Sequence, residues 1–150
     1  MKKQIVITVL LLFVSISAMA QKTEHRNLEK KLAIEGYDPV AYFKSGKPVK
    51  GKKELALNYD GAVYYFSSET NKTLFKQNPA DYMPQYGGWC AFAMGDYGEK
   101  VEINPETFKI VDGKLYLFYN KLFTNTLKSW NNDETSLKKK ADTNWKKIIN

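Results

Sequence analysis

Two Asp-Gly dipeptides, Asp60-Gly61 and Asp112-Gly113, each lie between stretches of alternating apolar residues, and they constrain this chain more than any other feature. Asp-Gly tolerates the two positive φ angles of a tight hairpin turn, so each dipeptide predicts an antiparallel hairpin. A turn at Asp60-Gly61 pairs Tyr59 with Ala62, Leu57 with Tyr64 and Leu55 with Phe66, all on one face. A turn at Asp112-Gly113 pairs Ile110 with Leu115 and Phe108 with Leu117, and leaves Lys109, Lys114 and Tyr116 facing away. This second hairpin reads as half-buried.

Helix signals surround the hairpins. Asp38 followed by Pro39 is an N-cap with proline in the first turn, and Gly46 is a stop, which predicts a short helix over Pro39 to Lys44. Ser67 and Ser68 can cap a helix from Glu69 to Gln77 that buries Leu74 and Phe75. Asn78-Pro79 opens a turn through Tyr82 that Pro84 ends. Residues 89–103 fit a strand or an irregular loop, with Val101 and Ile103 the best short strand. After Asn120 the apolar residues Phe123, Leu127 and Trp130, then Leu137, Ala141, Trp145 and Ile148, recur at helical spacing, with a break over Asn131 to Glu134. The expected fold is α+β: an antiparallel sheet built from the two hairpins, helices on one side, and a long broken C-terminal helix.

The first twenty residues read as a signal peptide. Lys2 and Lys3 precede an apolar run from Ile5 to Ile16, and Ala18-Met19-Ala20 forms a small-x-small cleavage site before Gln21. The expected product is exported, periplasmic or secreted, and soluble, with no stable membrane anchor. Residues 21–33 are charged and lack an apolar period, so they read as a flexible lead-in to a single domain over 34–150. The formal net charge of +7 falls to +5 without Lys2 and Lys3, and the excess is concentrated between Lys121 and Asn150. Nucleic acid is not an expected partner, because the charge belongs to the tail and no recognition motif accompanies it. Trp145, Ile148 and Ile149 beside Lys138 to Lys140, Lys146 and Lys147 suit either an anionic membrane surface or docking on the core. The helical period of the apolar residues favours docking.

The only cysteine stands in Tyr86-Gly87-Gly88-Trp89-Cys90-Ala91. In an oxidising compartment a lone cysteine is buried and inert, paired between chains, bound to metal or reactive. The glycine pair suits a tight turn or a ligand-binding loop. It lacks the rest of a dinucleotide fingerprint. Cys90 and Met94 are four residues apart and so share a face in a helix or a strand, which makes a two-sulfur site for copper or another soft metal a candidate, with Met83 or His25 as distant additional ligands. Asp38 is either a structural cap or a ligand contact. His25, in the expected lead-in, is a poor general base because nothing orients it. No HExxH, GxSxG, paired CxxC or P-loop pattern occurs, so no catalytic residue is assigned and no enzyme activity is expected.

The ordered set Gly36-Tyr37-Asp38-Pro39-Val40-Ala41-Tyr42-Phe43, Gly61 with Tyr64-Tyr65-Phe66-Ser67, then Phe75, Pro79, Tyr82, the YGGWCA segment and Asp112-Gly113-Lys114-Leu115-Tyr116-Leu117 resembles the exported, single-cysteine branch of YHS-domain proteins. The resemblance implies a small α+β module that binds a metal or small ligand. Metal-binding relatives resemble this chain at a DPVCGM element and at FCSxxC, where it carries Ala41, Ser67 and Asn71 in place of cysteine. Without those thiolates the usual ligand set for a soft metal is gone. The expected role is a non-catalytic exported module that binds a small ligand or metal ion through Tyr37, Asp38, Tyr42, Tyr86, Gly87, Gly88, Trp89 and Cys90. The alternatives are a redox or copper-handling accessory that uses Cys90, and a structural domain that binds a protein partner.

Overall fold

The computed structural model describes residues 24–150; the signal-peptide reading of residues 1–20 and the first part of the lead-in, residues 21–23, lie outside them. The fold is α+β. Both Asp-Gly turns form, with Asp60 (φ 48°) and Gly61 (φ 79°) in one and Asp112 (φ 51°) and Gly113 (φ 71°) in the other. The first joins β3 (Lys52–Tyr59) to β4 (Ala62–Phe66). Tyr59 pairs with Ala62 and Leu57 with Tyr64, as the turn dictates, but a register shift then brings Lys52 rather than Leu55 opposite Phe66. The irregularity absorbs extra residues on β3, as a bulge does.

The second turn joins β5 (Asn104–Val111) to β6 (Lys114–Phe118), with Ile110 opposite Leu115 and Phe108 opposite Leu117. Two features depart from the sequence reading. The hairpins stand in separate sheets, not one: β3 and β4 belong to a four-stranded sheet with β3 at its edge, and β5 pairs with β6 alone. Helices also cover both faces of β6. Leu115 and Leu117 point into a core shared with Val40, Tyr42, Phe66 and Phe75, while Tyr116 and Phe118 point into a second core with Tyr86, Met94, Trp130 and Ala141. Tyr116 is therefore buried, stacked near Trp130 at 5.7 Å between ring centroids, rather than facing solvent. A strand in the middle of a two-sided core alternates between partners, and a one-sided pattern does not reveal this.

The remaining strands of the larger sheet are β1 (Leu28–Glu29) and β2 (Leu32–Ala33), paired antiparallel; β2 meets β4 in parallel at Leu32 and Val63. Residues 28–33, expected within the flexible lead-in, thus form sheet edge. Arg26 bonds Asp60 through its carboxylate and its carbonyl, which fixes the entry of this segment.

Among the described residues, five of six α-helices follow from their caps and period. These are α1 (Ala41–Lys44), α2 (Glu69–Gln77, capped by Ser68 Oγ accepting from the Asn71 amide), α3 (Pro79–Tyr82), α5 (Thr126–Asn132) and α6 (Glu134–Ile149). The sixth, α4 (Ala91–Asp96), occupies the segment read as strand or loop. Val101 and Ile103 are not in a strand, although the Cys90 amide donates to the Val101 carbonyl. Asp133 separates α5 from α6 within the expected break. Leu137 and Ala141 are buried and Trp145 and Ile148 half-buried on the second core, so the C-terminal helix docks on the body. Phe123 leaves the predicted stripe: it lies in the turn between β7 (Asn120–Lys121) and β8 (Thr124–Asn125).

Candidate functional site

Cys90, at the start of α4, is fully buried. Its sulfur lies 3.4 Å from Thr126 Oγ1 and accepts from the Tyr119 amide at 3.4 Å. Thr126 gives its own hydroxyl proton to the Tyr119 carbonyl at 2.9 Å, so the thiol donates to Thr126 and both of its hydrogen-bonding capacities are engaged. Met94 is also fully buried, but in the second core, whereas Cys90 belongs to the first. The two sulfurs do not share a pocket. His25 has Nδ1 3.3 Å from Lys100 Nζ, and Met83 packs against the first core. Among the described residues no group of three or more His, Cys, Asp and Glu is arranged to hold a metal ion. These residues do not fit a soft-metal centre.

Asp38 is likewise fully buried. Oδ1 accepts from the amides of Val40 (2.9 Å) and Ala41 (3.3 Å), which caps the first turn of α1. Oδ2 accepts from the Ser67 amide (2.8 Å), Ser67 Oγ (2.6 Å) and Asn71 Nδ2 (2.7 Å). Ala41, Ser67 and Asn71, the three positions where the resemblance would place cysteines, therefore converge on one carboxylate. Ala41 does so through its backbone amide, Ser67 through amide and hydroxyl, and Asn71 through its side chain. Tyr42 is buried beside this network and donates to the Pro105 carbonyl at 2.8 Å, and burial pushes its phenol well above the ordinary tyrosine range. Tyr37 donates to Glu106 at 3.0 Å with Lys50 above its ring.

The glycine pair receives the N-terminal segment. Residues Tyr86, Gly87 and Gly88 have φ of 54°, 63° and 87°, a left-handed turn closed by the Trp89 amide on the Tyr86 carbonyl. Asn27 donates its amide to the Gly87 carbonyl (2.8 Å) and its side chain to the Gly88 carbonyl (3.2 Å), while Trp89 Nε1 donates to the His25 carbonyl (2.7 Å). A Cβ on Gly87 would stand 2.8 Å from the His25 carbonyl oxygen and 2.9 Å from the Trp145 ring. Close approach of one chain segment to another is thus the role of this pair. Tyr86 donates to Asp142 on α6 at 2.9 Å, and burial first, then this bond, raises its phenol far above the ordinary range.

Beside these contacts lies a recess of about 320 Å³, lined by Asn27, Leu28, Glu29, Leu32, Ile34, Glu35, Gly88, Glu102, Ile103 and Lys121. Ligand pockets begin at about 300 Å³. Of the predicted site residues only Gly88 borders it. A second left-handed turn contributes Ile34 and Glu35: Ile34, Glu35 and Gly36 have φ of 52°, 50° and 81°, closed by the Tyr37 amide on the Ile34 carbonyl at 2.9 Å. Positive φ is a genuine outlier for a β-branched residue, and such conformations persist where the surroundings enforce them. Glu29, Glu35 and Glu102 place three carboxylates here against Lys121. Burial, then Glu102 and Glu29, raises the Glu35 carboxyl above the usual glutamate range, while Lys121 and Lys50 pull it down. Sequence reasoning missed the recess because its acids are scattered over 29–102 and sit in segments without period. Gly36, next to Glu35, is the only local signal of a left-handed turn.

No helix among the described residues is long and apolar enough to cross a membrane. Comparisons with curated proteins and with solved structures gave no match. The matched family region runs from the helix-capping segment that Asp38 holds to the first residue of the glycine turn, and leaves Cys90 outside it: residues 40–86 match the family model of the YHS domain.

Proposed function

We propose that the protein is an exported, non-catalytic YHS-type module that binds a ligand in the recess beside Gly88. One observation carries the reading: a walled concavity between two strained left-handed turns presents carboxylates and apolar side chains together, at the edge of the glycine loop. Convergent polar groups on an apolar floor are what a ligand site requires. Export is supported by the basic, apolar and small-residue succession of the first twenty residues.

The alternative uses of Cys90, in redox or copper handling, gain nothing from a thiol that is buried with both hydrogen-bonding capacities engaged. Native mass spectrometry with elemental analysis of the protein from its own compartment tests the reading. An organic mass should accompany the folded chain, and Leu28→Trp, which narrows the recess, should release it. Stoichiometric copper that Cys90→Ser abolishes would overturn the proposal in favour of a metal-handling role.

A further inference from the structure

The β7–β8 hairpin next to the recess ends in two large apolar residues with nothing over them: Leu122 is 96 % and Phe123 104 % exposed. An isolated exposed leucine is ordinary, but an adjacent pair at a protruding tip is an interaction surface. The backbone sharpens the point. Leu122 has φ 53°, a left-handed conformation that is unfavourable for a residue with a Cβ and that Asn or Gly adopts with ease. The tip therefore keeps a strained leucine where turn chemistry favours a small polar residue.

Lys121 belongs both to β7 and to the wall of the recess, so tip and recess form one continuous surface. The charges there select the partner. In a chain of net charge +7, the recess gathers Glu29, Glu35 and Glu102 around a single lysine. Three acids that line one recess repel one another, and a cation between them relieves that repulsion. An anionic bilayer or a second copy of the same acidic surface would meet like charge. A ligand confined to the recess would leave Leu122 and Phe123 uncovered, whereas an extended chain reaches both.

Resting on the reading of the recess as a binding site, we infer that this surface docks a polypeptide segment that carries Lys or Arg beside large apolar side chains. The cationic group enters among Glu29, Glu35 and Glu102, and the apolar side chains cover Leu122 and Phe123.

Fluorescence anisotropy with a labelled peptide, Lys-Leu-Phe-Lys-Leu-Lys, and its counterpart with Glu for every Lys tests the inference. The basic peptide should bind, and the acidic one should not. Affinity should fall about tenfold or more in Leu122→Ser/Phe123→Ser and in Glu35→Gln/Glu102→Gln, and should weaken as salt screens the charges. All four side chains are at the surface, and circular dichroism confirms that the variants fold. Equal binding of both peptides, no binding of either, or unchanged affinity in the tip variant overturns the inference. So does co-sedimentation with phosphatidylglycerol vesicles in preference to the peptide. If the peptide fails while a small organic mass still co-purifies and is released by Leu28→Trp, this inference falls and the recess remains a small-molecule site. If both fail, the reading of the recess falls with it.

Discussion

Asp38 and Glu35 are three residues apart and live in opposite circumstances. Asp38 is sealed from water and accepts five hydrogen bonds, from Val40 and Ala41 at the start of α1 and from Ser67 and Asn71 at the start of α2. Glu35 stands at a surface recess among other carboxylates, on a backbone turn of unfavourable hand. Burial of an ion is tolerable only when its lone pairs are filled, so the Asp38 carboxylate is fully committed to holding the fold. The Glu35 group is held in an arrangement that costs stability and is left available. The contrast teaches where to look for function in a small domain: not at the most buried charge, but at the charge whose surroundings do not satisfy it.

The largest effect should come from Asp38→Ala. It strips the acceptor from Ser67, Asn71 and the amides of Val40 and Ala41 at once, and should lower unfolding free energy in urea by about 3–5 kcal/mol, at the extreme of single substitutions. A loss below about 1 kcal/mol would break the comparison by showing that the network is optional. Next comes Gly87→Ala. The added methyl must displace the His25 carbonyl or the Trp145 ring and also accept φ of 63°, so a loss of about 2–4 kcal/mol is expected. Because this loop anchors the segment that walls the recess, hydrogen exchange at 25–29 should quicken more than at the Asp38 network.

Cys90 sharpens the same contrast with a smaller effect. A maleimide should label the native protein slowly and the urea-unfolded chain at once, because the sulfur is enclosed and hydrogen-bonded. Equal rates would place Cys90 among the available groups. The smallest effects are on pH dependence. The Glu35 carboxyl is raised by burial and then by Glu102, so the unfolded chain ionises first as pH rises, and stability is lost through and above the ordinary glutamate range. Glu35→Gln should therefore raise the melting temperature relative to the parent by more at about pH 7 than at about pH 4. Glu134 has the opposite sign: its hydrogen bond from Lys109 lowers it, so its stabilisation is present above that range and lost as pH falls through the lowered value. Glu134→Gln should cost most at neutral pH.

What could be read from the chain was local. Asp-Gly turns, the Asp38 and Ser68 caps and the apolar period of Leu137 to Ile148 each report chemistry confined to a few residues, and the hairpin pairings near each turn followed from them. What escaped was relational. α4 spans only Ala91 to Asp96, too few residues to display a helical period. The fate of β6 depended on a second core that only the C-terminal helices create. The candidate site split along the same line. Asp38 and Cys90 were noticed as residue types, yet whether each was engaged or available depended on Ser67, Asn71, Tyr119 and Thr126, distant in sequence. The recess depended on backbone hand at Ile34 and Glu35, which no side-chain preference there announces.

The convergence of Ala41, Ser67 and Asn71 on a single carboxylate carries a consequence for redesign. Cysteines at all three positions would take side-chain donors away from Asp38 and, once ionised, would crowd four negative charges into a dry interior. Such a chain would have no tolerable resting state without a cation, and assembly would become conditional on metal supply. With serine and asparagine there instead, the same corner of the molecule closes by itself, and folding waits on no metal.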